Sequence, residues 1–447
     1  MKISLKNENV IYYGPRNEDS AWGFVQFPKF YEMKNGSIGL YFHNEDDSPL
    51  VLGQGSWYVS DDLGKSWHNA SKEEFAQFGT LLPNGDMLRI KNIPAKKVED
   101  LQSSGAWFGN YRIPSEPITP QKSTNPDVLP HPISLYSDVF GSNDFFYLLD
   151  TLPDGLAENR LFFSRLKNGK TTAEEEYSPV DWKHRTVRIF SPSPVYTGMT
   201  SFILENPAAY EGGSKLKVAP DGSLFLALYR NGPCNPYTGK FEKFSAVFLL
   251  RSTDNGKTWA LHGYIPYQPD LEKDEFSYLH GGFYEPDIEF MPDGTMLCIM
   301  RTCDVFQGAP EWGATYLSRS VDGGKTWSKP EYFQKIGALP LLLRLDCGVT
   351  LAVITRPGIF VYASKDDGKT WTACSEVMTG EDRSKLANVP PSRPNFHQWA
   401  GSCCNTDIRA LSENSALLVY SDFYTPDPND NGIKKKAIKT VEIVVDC

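Results

Sequence analysis

SVDGGKTW, residues 320–327, is one of four near-copies of a single octapeptide; the others are SDDLGKSW at 60–67, STDNGKTW at 252–259 and SKDDGKTW at 364–371. Each follows a run rich in aromatic and branched residues (GSWYV, AVFLLR, GATYLSR, GIFVYA) of the kind that favours strand. The octapeptide is therefore expected to end one strand and turn the chain into the next. Asp62, Asp254, Asp322 and Asp366 can accept hydrogen bonds from turn amides, while Gly64, Gly256, Gly324 and Gly368 supply positive φ. Trp67, Trp259, Trp327 and Trp371 are then placed to pack on a neighbouring sheet.

A second repeat precedes the first: an apolar strand, a tight turn and another apolar strand, with turns at Gly36, Gly85, Gly222, Gly294, Gly348 and Asn414. Six such hairpins predict an all-β fold, a six-bladed β-propeller of four-stranded antiparallel blades, with a seventh blade as the alternative. Residues 73–200 lack a good octapeptide and are expected to hold the second blade, with an insertion at about 92–144. Within them FFYLLDTLPDGLAENRLFF is expected to form that blade's outer hairpin. KAIKTVEIVVD near the C-terminus should pair with ISLKNENVIYY near the N-terminus, closing the ring and making residues 1–447 a single domain.

Composition narrows the partners. The 447 residues carry a formal charge of −10 and no clustered basic surface, which argues against nucleic acid. No apolar run reaches the length of a membrane span, so no membrane partner is expected. Aromatic residues make up 13% of the chain, a share that suits strands and sugar-stacking surfaces. The eight cysteines show no regular spacing and no paired CxxC units, so free thiols, no metal site and no cofactor are expected. A cytoplasmic location follows from that reading and from the absence of a leader-like N-terminus, or a secreted one if a leader has been removed. Oligomeric state is left open.

Strand direction sorts residues by face. The innermost strand of a blade starts on one face, turns at the other, and the second strand returns to the first. Gln26, Glu285 and Asn405 at starts of first strands, and His43, Arg230, Arg301, Arg356 and Asp422 at ends of second strands, should therefore share one face. Asp46 and Asp47 follow His43 in the adjoining loop. Arginine pairs suit the clamping of an anion, because each guanidinium offers parallel donors.

The octapeptide is S-x-D-x-G-x-[TS]-W, the Asp-box or BNR repeat, and four copies in one chain resemble the sialidase superfamily. The resemblance implies a propeller with a carbohydrate site on the face just described. VQFPKF puts Gln26 where the family has the first arginine of its carboxylate-binding triad. YEPDIEFMPDGTMLCIMRT matches Glu285 to the family's glutamate and Arg301 to its second arginine, and Arg356 to the third. NTDI puts Asn405 at the tyrosine nucleophile, and Asp46 or Asp47 in the loop of the acid/base aspartate. Arg230 is a candidate to compensate for the missing first arginine; Arg112, His397 and Trp399 are candidate pocket walls.

The implied function is an exo-acting glycoside hydrolase for a glycan with an acidic or strongly polar terminal sugar. Loss of the first arginine and of the tyrosine separates it from true sialidases. An amide cannot attack an anomeric carbon as a phenolate does. Inverting hydrolysis is therefore expected, with Glu285 as general base and Asp47 or Asp46 as general acid. The rivals are a non-catalytic carbohydrate-binding propeller and a polysaccharide lyase on the same scaffold.

Overall fold

The computed structural model describes residues 1–16, 23–44, 55–91, 93, 96–98, 107–108, 111–112, 129–137, 143–153, 156–157, 159–181, 186–190, 202–205, 215–304, 313–335, 337–355, 358–378 and 405–447. The chain is all-β with a propeller-like arrangement of small sheets. Sheet A comprises Gln26–Glu32, Ile38–His43, Gly55–Ser60 and His68–Asn69; sheet C comprises His280–Phe290, Met296–Asp304, Thr315–Ser320 and Glu331–Gln334. Sheet D comprises Leu341–Arg344, Thr350–Thr355, Ile359–Ser364 and Ala373–Met378.

Sheet B lies between A and C in sequence and has eight strands. One antiparallel run holds Thr80–Leu81, Met87–Lys91, Arg160–Leu166 and Glu174–Asp181; the other holds Lys217–Val218, Leu224–Arg230, Ala246–Ser252 and Trp259–Ile265. A short parallel contact, Val180 beside Trp259 and Asp181 beside Ala260, joins the two runs. Sheet E pairs Ile3–Arg16 with Ile433–Val445, then Ser415–Asp427 and Thr406–Ser412. Ile3 faces Val445 and Tyr13 faces Ala437, so the N-terminal strand completes the sheet built by the C-terminal ones, as the sequence predicts.

Each hairpin turn falls where the sequence reading puts it, between the first two strands of its run. The four octapeptides share one hydrogen-bonded geometry. In the Ser320 copy, Ser320 Oγ donates to Asp322 at 2.7 Å and accepts from Gly324 N at 2.8 Å, while Thr326 N and Oγ1 both donate to Asp322. Gly324 adopts a φ of +92°, which a side chain would strain. Three of the four indoles, Trp67, Trp259 and Trp327, donate to the carbonyl of their own turn glycine. Trp259 is 2% exposed and stacks on Phe163 of the adjoining run at 5.8 Å, so the repeat fastens one layer to the next.

Three expectations are corrected. FFYLLDTLPDGLAENRLFF is not a hairpin: Asn143–Leu148 pairs with Thr186–Phe190 and Arg160–Leu166 pairs with Met87–Lys91, in different sheets. The insertion is consequently not confined to about 92–144. Lys96–Val98, Ser134–Ser137, Asn143–Leu148, Thr186–Phe190 and Phe202–Glu205 form an additional five-stranded sheet around its own core, including Tyr147, Val187, Ile189 and Leu204. Alternation along a strand reports which face is buried and not which distant strand lies beside it. Finally, Cys347 and Cys447 are not free thiols but form a disulfide that ties the C-terminus to the first hairpin turn of sheet D. Among the described residues Cys298 and Cys374 are free.

Candidate functional site

First strands of all the runs meet around one axial cavity of about 680 Å³, lined by Lys29, Thr80, Lys217, Glu289, Leu342 and Asp407 among others. Its lining extends to Gly36 and Ser37, placing it toward the hairpin-turn end of the strands. Lysines cross it. Lys215 reaches Asp407 at 2.6 Å, and Lys217 lies 3.1 Å from Glu289 and 3.5 Å from Asp287. Burial works against the Lys217 charge, but Asp287 and Glu289 outweigh it and raise its pKa.

Carboxylates on the first strands also accept backbone amides from the next sheet round the axis. Asp407 takes Phe30 N at 2.7 Å, Glu32 takes Leu81 N at 2.8 Å, and Asp287 takes Leu342 N at 2.8 Å. Buried polar groups must be matched. These bonds account for much of the charge in the cavity as structural stapling.

The opposite ends of the same strands are irregular in a repeated way. In sheet A the register slips between Gln26 and Lys29, and in sheet C between Tyr284 and Asp287. Phe27, Glu285 and Leu339 have φ values of +53°, +49° and +42°, and each is followed by a proline, Pro28, Pro286 or Pro340. Proline has no N–H for the ladder, so pairing breaks there and a bulge forms. Val25, a β-branched residue at φ +56°, adds to the strain. Such conformations cost about 1–3 kcal/mol each and cluster where geometry serves binding or catalysis.

Glu285 stands on this strained backbone. Its carboxylate accepts Arg301 Nε at 2.6 Å and Nη2 at 2.9 Å, a bidentate pair, and Leu339 N from sheet D at 2.7 Å. Arg301 is 7% exposed. A Cβ at Gly337 would lie 1.9 Å from Thr315 Oγ1 and 3.7 Å from Arg301 Cβ, so the segment leading to Leu339 is pressed against the pair. The structure thus brings Glu285 and Arg301 together and gives to Glu285 the arginine fork that the sequence reading assigns to a ligand anion.

Gln26 is 0% exposed and sits directly across from His43. Val25 N also donates to His43 O at 2.8 Å. The imidazole lies edge-on to Phe27 and Tyr41, at 5.1 and 5.4 Å between ring centres. Burial, aided by the charge of Lys29, lowers its pKa to about 4, so His43 is neutral at neutral pH. Asn405 is buried and its carbonyl accepts Ser421 N. Arg230 is 3% exposed and donates to the Tyr229 carbonyl. Just beyond Arg230, Gly232 O accepts Thr186 Oγ1 at 2.9 Å, which sets the additional sheet against this end of sheet B.

Asp46, Asp47, Arg356, His397 and Trp399 lie outside the described residues, as does the side chain of Arg112. Sequence reasoning missed the pre-proline bulges and the Leu339 amide. Their signal was present: Pro28, Pro286 and Pro340 each stand eight residues before their hairpin glycine. Among the described residues, no His, Cys, Asp and Glu side chains are grouped to hold a metal ion, and no helix is long and apolar enough to cross a membrane.

No family model matches the chain, and no curated protein does. A solved protein of unknown function from Dyadobacter fermentans shares the fold, with a TM-score of 0.52 and 16% identity over 99% of both chains. An α-L-arabinanase from Penicillium chrysogenum complexed with arabinobiose aligns at TM-score 0.46 and 13% identity, covering 98% of each chain. A mutant Trypanosoma rangeli sialidase displaying trans-sialidase activity aligns at 0.41 and 10%, over 98% of this chain and 58% of that one.

Proposed function

We propose that residues 1–447 form one six-bladed propeller of the sialidase type, with sheet B counted as two blades, and that it is an exo-acting glycoside hydrolase. Its substrate is a glycan with an acidic or strongly polar terminal sugar, and it is not a true sialidase. The six hairpins and the single cavity shared by their first strands support the blade count. One observation carries the functional reading: the bidentate Glu285–Arg301 pair, held on strained pre-proline backbone at the face where the Asp-box resemblance implies a sugar site.

In this reading Glu285 is the general base of an inverting hydrolysis, with Arg301 and Leu339 N fixing its orientation. Asp47 or Asp46 is the general acid, and Arg356 contributes to binding. Inversion asks for a carboxyl separation of roughly 6.5–9.5 Å so that a water fits between them. A non-catalytic sugar-binding propeller is the second reading, favoured by the same pair, because three donors already engage the Glu285 carboxylate. Nitrophenyl glycosides of a broad sugar panel separate the two. The hydrolase reading expects turnover of at least one member, reduced about 100-fold or more in a folded Glu285→Gln variant. Sugar binding without turnover anywhere in the panel supports the second reading.

A further inference from the structure

The charges lining the axial cavity are matched inside the protein at most positions, but not at Arg409. Lys215 takes Asp407, Lys217 takes Asp287 and Glu289, and the Glu32 carboxylate is held by Leu81 N. Arg409 lines the same cavity, and among the described residues no carboxylate bonds to it. Its Nη1 reaches the Tyr31 carbonyl at 3.5 Å, the outer limit of a hydrogen bond, and its Nε is buried without a partner. Buried charges ordinarily have a counter-charge or a full set of hydrogen bonds, so an exception asks for an occupant. We infer that the axial cavity binds a small inorganic oxyanion, phosphate or sulfate, on the Nε and Nη2 edge of the Arg409 guanidinium.

The sequence shows how the unmatched cation arises. Asp287-Ile288-Glu289 and Asp407-Ile408-Arg409 occupy equivalent places on the first strands of sheets C and E. In both, the aspartate staples the next sheet round the axis, through Leu342 N or Phe30 N. Two residues on, sheet C carries Glu289, which Lys217 neutralises, whereas sheet E carries Arg409. The edge of the fork left open there is the one that Arg301 gives to Glu285, two parallel donors that fit a single oxyanion.

Neighbouring carboxylates do not substitute for the ion. Both Asp407 oxygens are engaged, one by Phe30 N and the other by Ile408 N and Lys215. Burial lowers the Arg409 pKa, and the charges of Glu32 and Asp407 do not offset it. Arg89, on the sheet B side of the cavity, is a second buried cation; it donates to the Phe75 carbonyl at 3.2 Å and, among the described residues, bonds to no carboxylate. Access lies at the hairpin-turn end. Leu81 there is 47% exposed, and a Cβ added at Gly36 would meet nothing within 4 Å. The volume of about 680 Å³ holds an oxyanion together with part of its water. Bound there, the ion joins Arg409 of sheet E to the wall formed by sheets A and B. This site is separate from the proposed glycan site, which lies at the opposite ends of the same strands.

The test is binding of sodium phosphate to the full-length chain, followed by calorimetry and phosphorus NMR line broadening, with sodium HEPES holding the ionic strength constant. One saturable site is expected, with a Kd of about 1 mM or below, and sulfate should compete for it. Saturation distinguishes it from the general stabilisation that excluded phosphate and sulfate salts give any folded protein. Arg409→Gln should weaken binding about tenfold or more. Arg409→Lys, which keeps the charge and loses the fork, should weaken it less. No saturable binding, or equal binding by wild type and Arg409→Gln, would overturn the inference and leave the glycan reading standing. Should the glutamine variant not fold, wild-type crystals soaked in selenate decide. Anomalous density within hydrogen-bond distance of Arg409 supports the site; density elsewhere, or none, overturns it.

Discussion

His43 shows how a single side chain at this face ties stability to pH. Burial first, and Lys29 second, lower its folded-state pKa to about 4, whereas an unfolded histidine titrates near 6.5. Between those values the unfolded chain binds the proton and the folded chain does not, so stability falls as pH drops from about 6.5 to about 4. Below that window this group adds no further loss. The shift corresponds to about 3 kcal/mol as an upper figure. Urea unfolding at pH 7 and near pH 4.5 should show part of that loss in the wild type and a smaller one in His43→Gln. The neighbouring ion pair makes a different prediction. Arg301→Ala removes both of the arginine's bonds to the part-buried Glu285 carboxylate, and should cost about 3–5 kcal/mol in denaturant unfolding. A cost below about 1 kcal/mol would show the pair to be solvated and its geometry unimportant.

Among the elements, the octapeptide turns were the most legible in the sequence, because the bonds that shape them around their aspartate are local. Asp254 accepts Ser252 Oγ, Thr258 N and Thr258 Oγ1, all within four residues. Asp254→Ala should therefore destabilise by about 1–3 kcal/mol, measured by thermal or urea unfolding, with little change in secondary structure. The bonds from Ser66 hold the Asp62 carboxyl at about 2. At Asp366 burial works the other way, yet the Thr370 bonds outweigh it and again leave about 2. Folded values below the unfolded one mean that this grip is complete above about pH 4 and is lost as pH falls toward 2. Elements that depend on distant partners were not legible. Lys96–Val98 pairs with Phe202–Glu205 about a hundred residues away, and nothing in either stretch names the other. Glu285 and Arg301 were legible as candidates at the same end of one hairpin, since one turn sets both strands, but their bond to each other was not: the sequence reading reserves Arg301 for a ligand anion. The strained setting was not legible either, because the prolines were read singly and their common distance from the hairpin glycines was overlooked.

At the scale of the molecule, closure and the axial staples hold the sheets in a ring. Ile3–Arg16 pairs with Ile433–Val445, and the Cys347–Cys447 disulfide, spanning 100 residues, fastens that C-terminal strand to sheet D. Reduction, or Cys447→Ser, should lower stability by about 3–5 kcal/mol, seen as a downward shift of the unfolding midpoint in the presence of reductant. An unchanged midpoint would show that strand pairing alone closes the ring. The axial cavity and the strand-start face are the two ends of one set of first strands, and the account assigns the sugar to the second. Most charges in the cavity are spent on staples between sheets, whereas strain, bulges and the Glu285–Arg301 pair gather at the face. A crystal structure of the protein soaked with the glycoside that binds best tests this directly. The account predicts that the sugar lies at the face, beside Glu285 and Arg301. A sugar seated instead among Lys215, Lys217 and Asp407 in the axial cavity would contradict it.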